Sequence, residues 1–325
     1  MLFRNLHRAN SATQRDLRSP LREASDPFIH ANRKRNGELT NQHRQDPQRA
    51  TSPQRTSSSL SGQRLTETLL SALPDQFKAA TESPFLRLAG RGKLPKQVLS
   101  RWLSQDRLYA ETYISFITSL IARVTLPYAF TTDKSASLRW RIINILTSAF
   151  QNILTELTFF TTTAQTYSLQ LDLPPTTDNS PTTTTEFGPN PITDQYMTLF
   201  RSFHLDPSQS LLEGLIILWA TEKCYHRAWS YASTFQPPPQ QRQQASEDLD
   251  GGALRKKFIP NWSSDEFAKF VQDIADVTDE LAEREGAMRK AEVYKALWGH
   301  VLEIEKGFWP DVGDVEGEVD GGGGV

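Results

Sequence analysis

The chain has 325 residues, a formal net charge of −2 and a single cysteine, Cys224. The near-neutral charge gives no reason to expect nucleic acid or an anionic membrane as a partner, and one cysteine excludes an internal disulfide and a cysteine-based zinc site. No apolar run reaches the roughly 18 residues of a membrane span, and a lone cysteine fits a reducing compartment, here the cytoplasm.

The N-terminal 60 residues are rich in Arg, Ser, Gln, Asn and Pro and poor in large apolar side chains. This composition cannot bury enough surface to offset chain entropy, so we predict a disordered, basic tail over residues 1–60. Five arginines against one acid in the first 22 residues are also typical of a mitochondrial transit peptide, which is the alternative localisation.

The region 61–310 is predicted to fold as one helical domain. Leucines recur at helical spacing over residues 65–73 and predict a first helix. Ser83-Pro84 begins a short helix that Gly90 and Gly92 close.

A long helix with a broad buried face is predicted between residues 94 and 126, with Pro95 in its first turn. Asp106, Tyr109 and Tyr113 lie at i, i+3 and i+7 and point the same way. A carboxylate on such a face must be paired or must serve a polar cavity, because burying it alone is costly.

The remaining elements are also helical, and no segment alternates with the period of a strand. Asp206-Pro207 predicts a helix start, with the aspartate as cap and the proline at the first helical position, and that helix runs to about residue 234. Two low-complexity loops, 172–190 and 236–252, and an acidic, disordered C-terminal tail, 311–325, complete the chain. The fold class is therefore an all-α bundle, with further helices over 135–171, 193–203, 263–284 and 288–309.

Five segments stand out in chain order: SPFLRLAGRGKLPKQVLSRWLSQDRLYAETY, ITDQYMTLF, LLEGLIILWATEKCYHRAWSYA, FIPNWSSDEFAKFV and EIEKGFWPDV. Together they resemble the TenA (thiaminase II) family over the whole folded region. The resemblance implies a haem-oxygenase-like multi-helical bundle with a central pocket, and it also implies a homo-oligomer. Bacterial members of that family hydrolyse thiamine or an aminopyrimidine breakdown product of it.

The resemblance also implies roles for individual residues. Asp106 would hold the ring nitrogen and amino group of the aminopyrimidine, with Tyr109 and Tyr196 lining the ring. Glu305 would be the carboxyl group that transfers a proton near the reacting methylene. Tyr225, on the helix that resembles the family's central helix, is a further candidate for the substrate pocket.

The sequence departs from the family at its nucleophilic cysteine. Aligning the motif on Tyr225 puts Thr221 at the cysteine position, and Cys224 lies one turn further along. Some eukaryotic members lack this cysteine and use carboxylates, which makes Glu222 the local candidate. We expect Asp106 and Glu305 to face one cavity, with Glu222 close enough to act between them.

Each candidate has a plainer alternative. Helical acids most often form surface salt bridges. Cys224 is either a thiolate activated by Lys223 or His226, or a small buried apolar residue, which is the commoner role. Glu222 and His226 at i, i+4 are weak evidence for a metal, so no metal and no cofactor are predicted.

The functional prediction is a TenA-like protein that binds an aminopyrimidine in thiamine salvage, and whether it also hydrolyses it, by carboxylate acid/base chemistry, is left open by the sequence. Glu305 and Glu222 are the predicted catalytic residues, and Asp106, Tyr109, Tyr196 and Tyr225 the predicted substrate-binding residues. The alternative is a non-catalytic TenA-like protein that binds a different small heterocycle or serves as an interaction scaffold. No nucleic acid or membrane is predicted as a partner.

Overall fold

The computed structural model describes residues 64–172, 188–238 and 247–312, so the predicted N-terminal tail, nearly all of the predicted C-terminal tail and the middle of both predicted loops lie outside the described residues. The described residues belong to one compact unit of the chain. Every element in them is helical and none is a strand, which confirms the predicted all-α class. The helices are α1 (Leu65–Ala72), α2 (Pro74–Thr81), α3 (Pro84–Arg91), α4 (Lys96–Arg123), α5 (Leu138–Tyr167), α6 (Pro191–Leu205), α7 (Leu211–Ser233), α8 (Ile259–Trp262), α9 (Asp265–Glu285) and α10 (Ala291–Phe308).

Helix α7 is the most enclosed element of the bundle. Its residues from Leu211 to Thr221 are buried almost without interruption, which is the pattern of a helix packed on several sides. It contacts α3, α4, α9 and α10, and α4 in turn packs along α5 and α6. The carboxyl-terminal half of α7 therefore faces the middle of α4 across the bundle interior.

The start of α7 differs from the prediction at Asp206-Pro207. The helix begins at Leu211, because Ser210 and Glu213 form a capping box in which the Ser210 hydroxyl accepts from Glu213 N (3.1 Å) and the Glu213 carboxylate accepts from Ser210 N (2.7 Å). Asp206 instead ends α6, and its carboxylate accepts from the backbone N of Ser208 at 2.9 Å. The predicted helix start was therefore wrong by about one turn.

The described end of the second low-complexity region, from residue 247, leads into ordered structure that the sequence did not predict. The Asp250 carboxylate accepts from Gly252 N (2.8 Å) and Leu254 N (2.7 Å), which holds the start of a π-helical turn, Leu254–Phe258. Helix α8 follows this turn directly and was missed by the prediction. Its effect is to carry Asn261 and Trp262 into the interior.

A cluster of buried tryptophans joins α4, α7, α8 and the residue that follows α10. Trp102 of α4 stacks on Trp309 with ring centroids 5.9 Å apart. The ring centroids of Trp229 in α7 and Trp262 in α8 are 4.8 Å apart. Such aromatic contacts add to the burial of large apolar areas. Among the described helices, none combines the length and apolar character that crossing a bilayer requires.

Candidate functional site

An acidic cavity of about 50 Å³ lies between α4, α5, α7, α8 and α9. Aliphatic and aromatic side chains form much of its wall, and none of the described residues that line it is Lys, Arg or His. The acids therefore have no cationic side chain beside them in the cavity. Its polar lining consists of Asp106, Glu156 and Glu222 with Tyr109, Tyr113, Tyr225, Asn152, Thr155, Thr221 and Asn261.

Asp106 is 3% exposed and lies on the cavity wall formed by α4. The i, i+3, i+7 spacing brings Tyr109 and Tyr113 to the same wall. The Tyr225 hydroxyl of α7 donates to Asp106 Oδ2 at 2.7 Å. Burial, followed by the nearby negative charge of Glu156, raises the pKa of Asp106 well above its usual value, and the Tyr225 hydrogen bond only partly opposes this.

Glu222 lines the same cavity as Asp106. The Tyr113 hydroxyl donates to Glu222 Oε1 at 2.8 Å and also lies 3.4 Å from the Thr221 hydroxyl. Burial raises the pKa of Glu222 to about 8, against the effect of the Tyr113 hydrogen bond. Glu222 is therefore mostly protonated at neutral pH.

Glu156 is a cavity carboxyl group that the sequence analysis missed. It lies on α5 and accepts a hydrogen bond from the indole N–H of Trp262 on α8. Burial raises its pKa to about 7, and the Trp262 hydrogen bond lowers it in part. A signal was present, because Glu156 shares a helical face with the buried Ile153 and Phe160.

Glu305 and Tyr196 pair with each other but do not line the cavity, contrary to the expectation that Asp106 and Glu305 face one cavity. The Tyr196 hydroxyl donates to Glu305 Oε2, while Glu305 Oε1 has no hydrogen-bond partner among the described residues. Burial raises the pKa of Glu305 to about 7. Tyr109 lines the cavity and packs edge-on against Tyr196, with the ring centroids 5.0 Å apart. Tyr109 therefore connects the cavity wall to the pair formed by Tyr196 and Glu305.

Cys224 has the surroundings of a core residue. Its side chain is fully buried and does not line the cavity. Burial, followed by the charge of Glu305, raises the pKa of the thiol well above its usual value, although Lys223 opposes the shift. A nucleophilic thiolate requires the opposite environment. The residues that line the cavity from this part of α7 are Thr221, Glu222 and Tyr225.

The carboxyl groups in and beside the cavity are suited to proton transfer near neutral pH. In the part of the chain that the structure describes, no group of three or more His, Cys, Asp or Glu side chains is placed to hold a metal ion. Glu156, Glu222 and Glu305 instead have pKa values raised to between about 7 and about 8. Groups with such values are efficient general acids and bases near neutral pH.

Solved TenA homologues share this architecture. The chain is similar to a TenA homologue from Pyrococcus furiosus, with a TM-score of 0.56 and 20% identity over 77% of this chain and 98% of that one. It is also similar to a TenA homologue from Pseudomonas syringae pv. tomato, with a TM-score of 0.56 and 10% identity over 81% of this chain and 98% of that one. The fold of the chain is thus that of these solved TenA homologues, the helical bundle that the sequence resemblance predicted.

Sequence comparison finds further relatives, and no family model matches the sequence. One relative, from Fusarium pseudograminearum, is named a probable transcription factor; it is 29% identical over 242 residues, which are 67% of this chain and 45% of that protein. The match therefore spans less than half of that protein's length. Another, from Glycine max, is named a probable bifunctional TENA-E protein and is 19% identical over 249 residues, 75% of this chain and 91% of that protein.

Proposed function

We propose that the cavity binds a 4-aminopyrimidine derived from thiamine and hydrolyses it by carboxylate acid/base chemistry. The observation that carries this proposal is that Asp106 of α4, with its Tyr225 hydrogen bond, and Glu222 of α7 line the same cavity. The TenA-like fold and the TENA-E name of the soybean relative support a thiamine-related role.

The protonation of Asp106 determines how it recognises the ring. A protonated carboxyl group offers one O–H donor and one acceptor oxygen. This pair matches the edge of a neutral 4-aminopyrimidine, where a ring nitrogen accepts and the adjacent amino group donates. Tyr225 fixes the orientation of the carboxyl group, and the aromatic ring of Tyr109 supplies an apolar wall.

Hydrolysis breaks the bond between the pyrimidine methylene and its leaving group, and water supplies the new C–O bond. Glu222, protonated at neutral pH, gives its proton to the leaving group. An ionised carboxylate accepts the proton of the attacking water, and Glu305 is the predicted one. Because Glu305 lies outside the cavity lining, this transfer requires a rearrangement of the wall near Tyr109 and Tyr196.

Calorimetric titration of the full chain with 4-amino-5-hydroxymethyl-2-methylpyrimidine tests the binding step. Asp106→Leu removes donor and acceptor while keeping a side chain that branches at the same position, and we expect at least about a tenfold loss of affinity. Asp106→Asn keeps one donor and one acceptor and should bind within a few-fold of wild type. Glu303→Gln, at an exposed position of α10, is the matched control. No heat with the wild-type chain at millimolar ligand would refute the proposal.

The catalytic step is tested separately in the variants that still bind. With 4-amino-5-aminomethyl-2-methylpyrimidine as substrate, Glu222→Gln should lower kcat by about 10²–10⁴-fold while affinity changes little. Glu305→Gln should lower kcat as well. Binding by the wild-type chain without turnover would leave the site as a binding pocket only.

A further inference from the structure

A second recess lies where the first half of α4, the start of α6 and the end of α10 meet. Its volume is about 260 Å³, close to the roughly 300 Å³ at which small-molecule pockets begin. It shares no lining residue with the acidic cavity, and none of the described residues that line it is Asp or Glu. We call this recess the α4–α10 groove; its lining includes the polar Arg101, Gln105 and Asn190 and the apolar Trp102, Phe308 and Pro310.

The residues of the groove carry hydrogen-bond donors that lack acceptors. Arg101 is exposed, and within the described ranges its guanidinium has no hydrogen-bond or ion-pair partner. Asn190 caps α6 with its side-chain oxygen, which accepts from Ile192 N at 3.0 Å and Thr193 N at 2.8 Å, so its amide nitrogen remains a donor. Trp102 is fully buried, and its indole N–H has no acceptor among the described residues. A ligand rich in acceptors and poor in donors fits such a lining.

Gln105 holds the groove in shape. Its amide nitrogen donates to Gly188 O at 2.9 Å, and its side-chain oxygen accepts from Asn190 N at 2.9 Å and from the Thr193 hydroxyl at 2.8 Å. These bonds join the segment before α6 to α4. Because Asn190 is the cap of the 15-residue α6 and lines the groove, the positive end of that helix dipole lies there as well. Donors held in place before binding lose less entropy when a ligand binds.

We propose that the α4–α10 groove binds an organic oxyanion, a phosphate or carboxylate group attached to a flat apolar ring. The planar guanidinium of Arg101 matches two oxygens of such a group, and the start of α6 adds its dipole. Trp102 and Phe308 give the groove aromatic walls for the ring. The acidic cavity offers no Lys, Arg or His to such a group among the described residues that line it. The groove is therefore a separate site and does not depend on the proposed function.

Calorimetric titration of the full chain with phenyl phosphate and with benzoate tests the site, and the tighter of the two identifies the preferred anion. Phenol, which has the ring without the charge, should bind far more weakly. Arg101→Gln removes the charge of an exposed side chain, and we expect the affinity for the tighter anion to fall at least about tenfold. Arg101→Lys keeps the charge without the planar fork, so its loss should be smaller. Arg201→Gln, at an exposed position of α6, is the matched control.

Asn190→Asp gives a second variant in which the fold is kept. Aspartate caps a helix as well as asparagine does, but its negative charge at the groove should lower the affinity for the anion severalfold. Asp106→Leu, in the acidic cavity, should leave that affinity within about twofold. Binding of neither anion at millimolar concentration, equal binding by wild type and Arg101→Gln, or a loss in Asp106→Leu would each overturn the groove as an anion site. Binding of the aminopyrimidine should be unchanged in Arg101→Gln, so these outcomes leave the proposed function untouched.

Discussion

At the scale of single residues, Cys224 offers a test of whether the site works without a thiolate. Its thiol is fully buried and its pKa is raised by burial. We expect the folded chain to react with a disulfide reagent only as fast as it opens or unfolds, whereas the denatured chain reacts at once. Rapid reaction of the folded chain, followed by absorbance, would contradict this.

Substitution of the same residue separates packing from chemistry. Cys224→Ser places a hydroxyl group in an apolar environment, and we expect the free energy of unfolding to fall by about 1–3 kcal/mol. Denaturant titration measures the loss. Ligand affinity and turnover per folded molecule should be unchanged, and a selective loss of turnover would make Cys224 a participant.

The cavity residues differ in how far sequence could predict them. Asp106, Tyr109 and Tyr113 share a wall because helical spacing alone determines which residues share a face. Glu156 obeys the same rule on α5 and could have been found by applying it there. Glu305 could not be placed, because whether a side chain of α10 reaches a cavity formed by other helices depends on how the helices pack, which no local pattern encodes.

At the scale of elements, the cap of α7 separates two competing helix starts. Ser210 accepts from Glu213 N in the observed capping box, whereas Asp206 only holds the preceding turn through Ser208. We expect Ser210→Ala to lower the free energy of unfolding by about 1 kcal/mol, and Asp206→Ala to lower it by less. Thermal or denaturant unfolding distinguishes them, and a larger loss at Asp206 would favour the start that the sequence had suggested.

The contact between α3 and the end of α7 allows a sharper comparison of two glycines. A Cβ at Gly90 would lie 2.1 Å from the backbone oxygen of Ala232, which cannot rotate away. A Cβ at Gly299 in α10 would lie 3.3 Å from Leu73 Cδ1, at the end of a flexible side chain. We expect Gly90→Ala to destabilise the chain by about 1–3 kcal/mol or more. Gly299→Ala should be close to neutral, since alanine gains about 1 kcal/mol in helix propensity; equal losses would contradict the packing described.

At the scale of the whole molecule, helical periodicity was sufficient for the all-α class and for the long helices, because each long helix buries a stripe that repeats along it. It was insufficient between residues 247 and 262. There the order comes from the Asp250 carboxylate and from an ion pair of Asp248 with Arg255. Those contacts stabilise a segment whose composition resembles a loop, and they are what brings Asn261 to the cavity.

The buried acids give the whole molecule an unusual dependence of stability on pH. In the folded chain the pKa is raised from 4.5 to about 8 for Glu222 and to about 7 for Glu156 and Glu305. Between those values and 4.5 the folded state holds protons that the unfolded state has lost, so stability is greatest at low pH and falls as pH rises through the folded pKa values. The pKa values of three other groups, His226, Asp276 and Glu280, are lowered in the folded chain. Above about pH 6.5 these groups therefore change the free energy of unfolding little as the pH rises.

We therefore expect the free energy of unfolding to fall between about pH 6.5 and pH 8, with Glu222 alone contributing about 1.4 kcal/mol per pH unit while it stays protonated in the folded state. Denaturant unfolding at a series of pH values measures the slope. The glutamine of Glu222→Gln is neutral in the folded and the unfolded chain, so this variant should lose the contribution of Glu222 to the slope. Glu303→Gln should leave the slope unchanged. A stability that is constant or rises over this range would mean that the carboxyl groups are ionised in the folded chain. Asp106 would then present two acceptors, and its ligand would have to be a protonated ring rather than a neutral one.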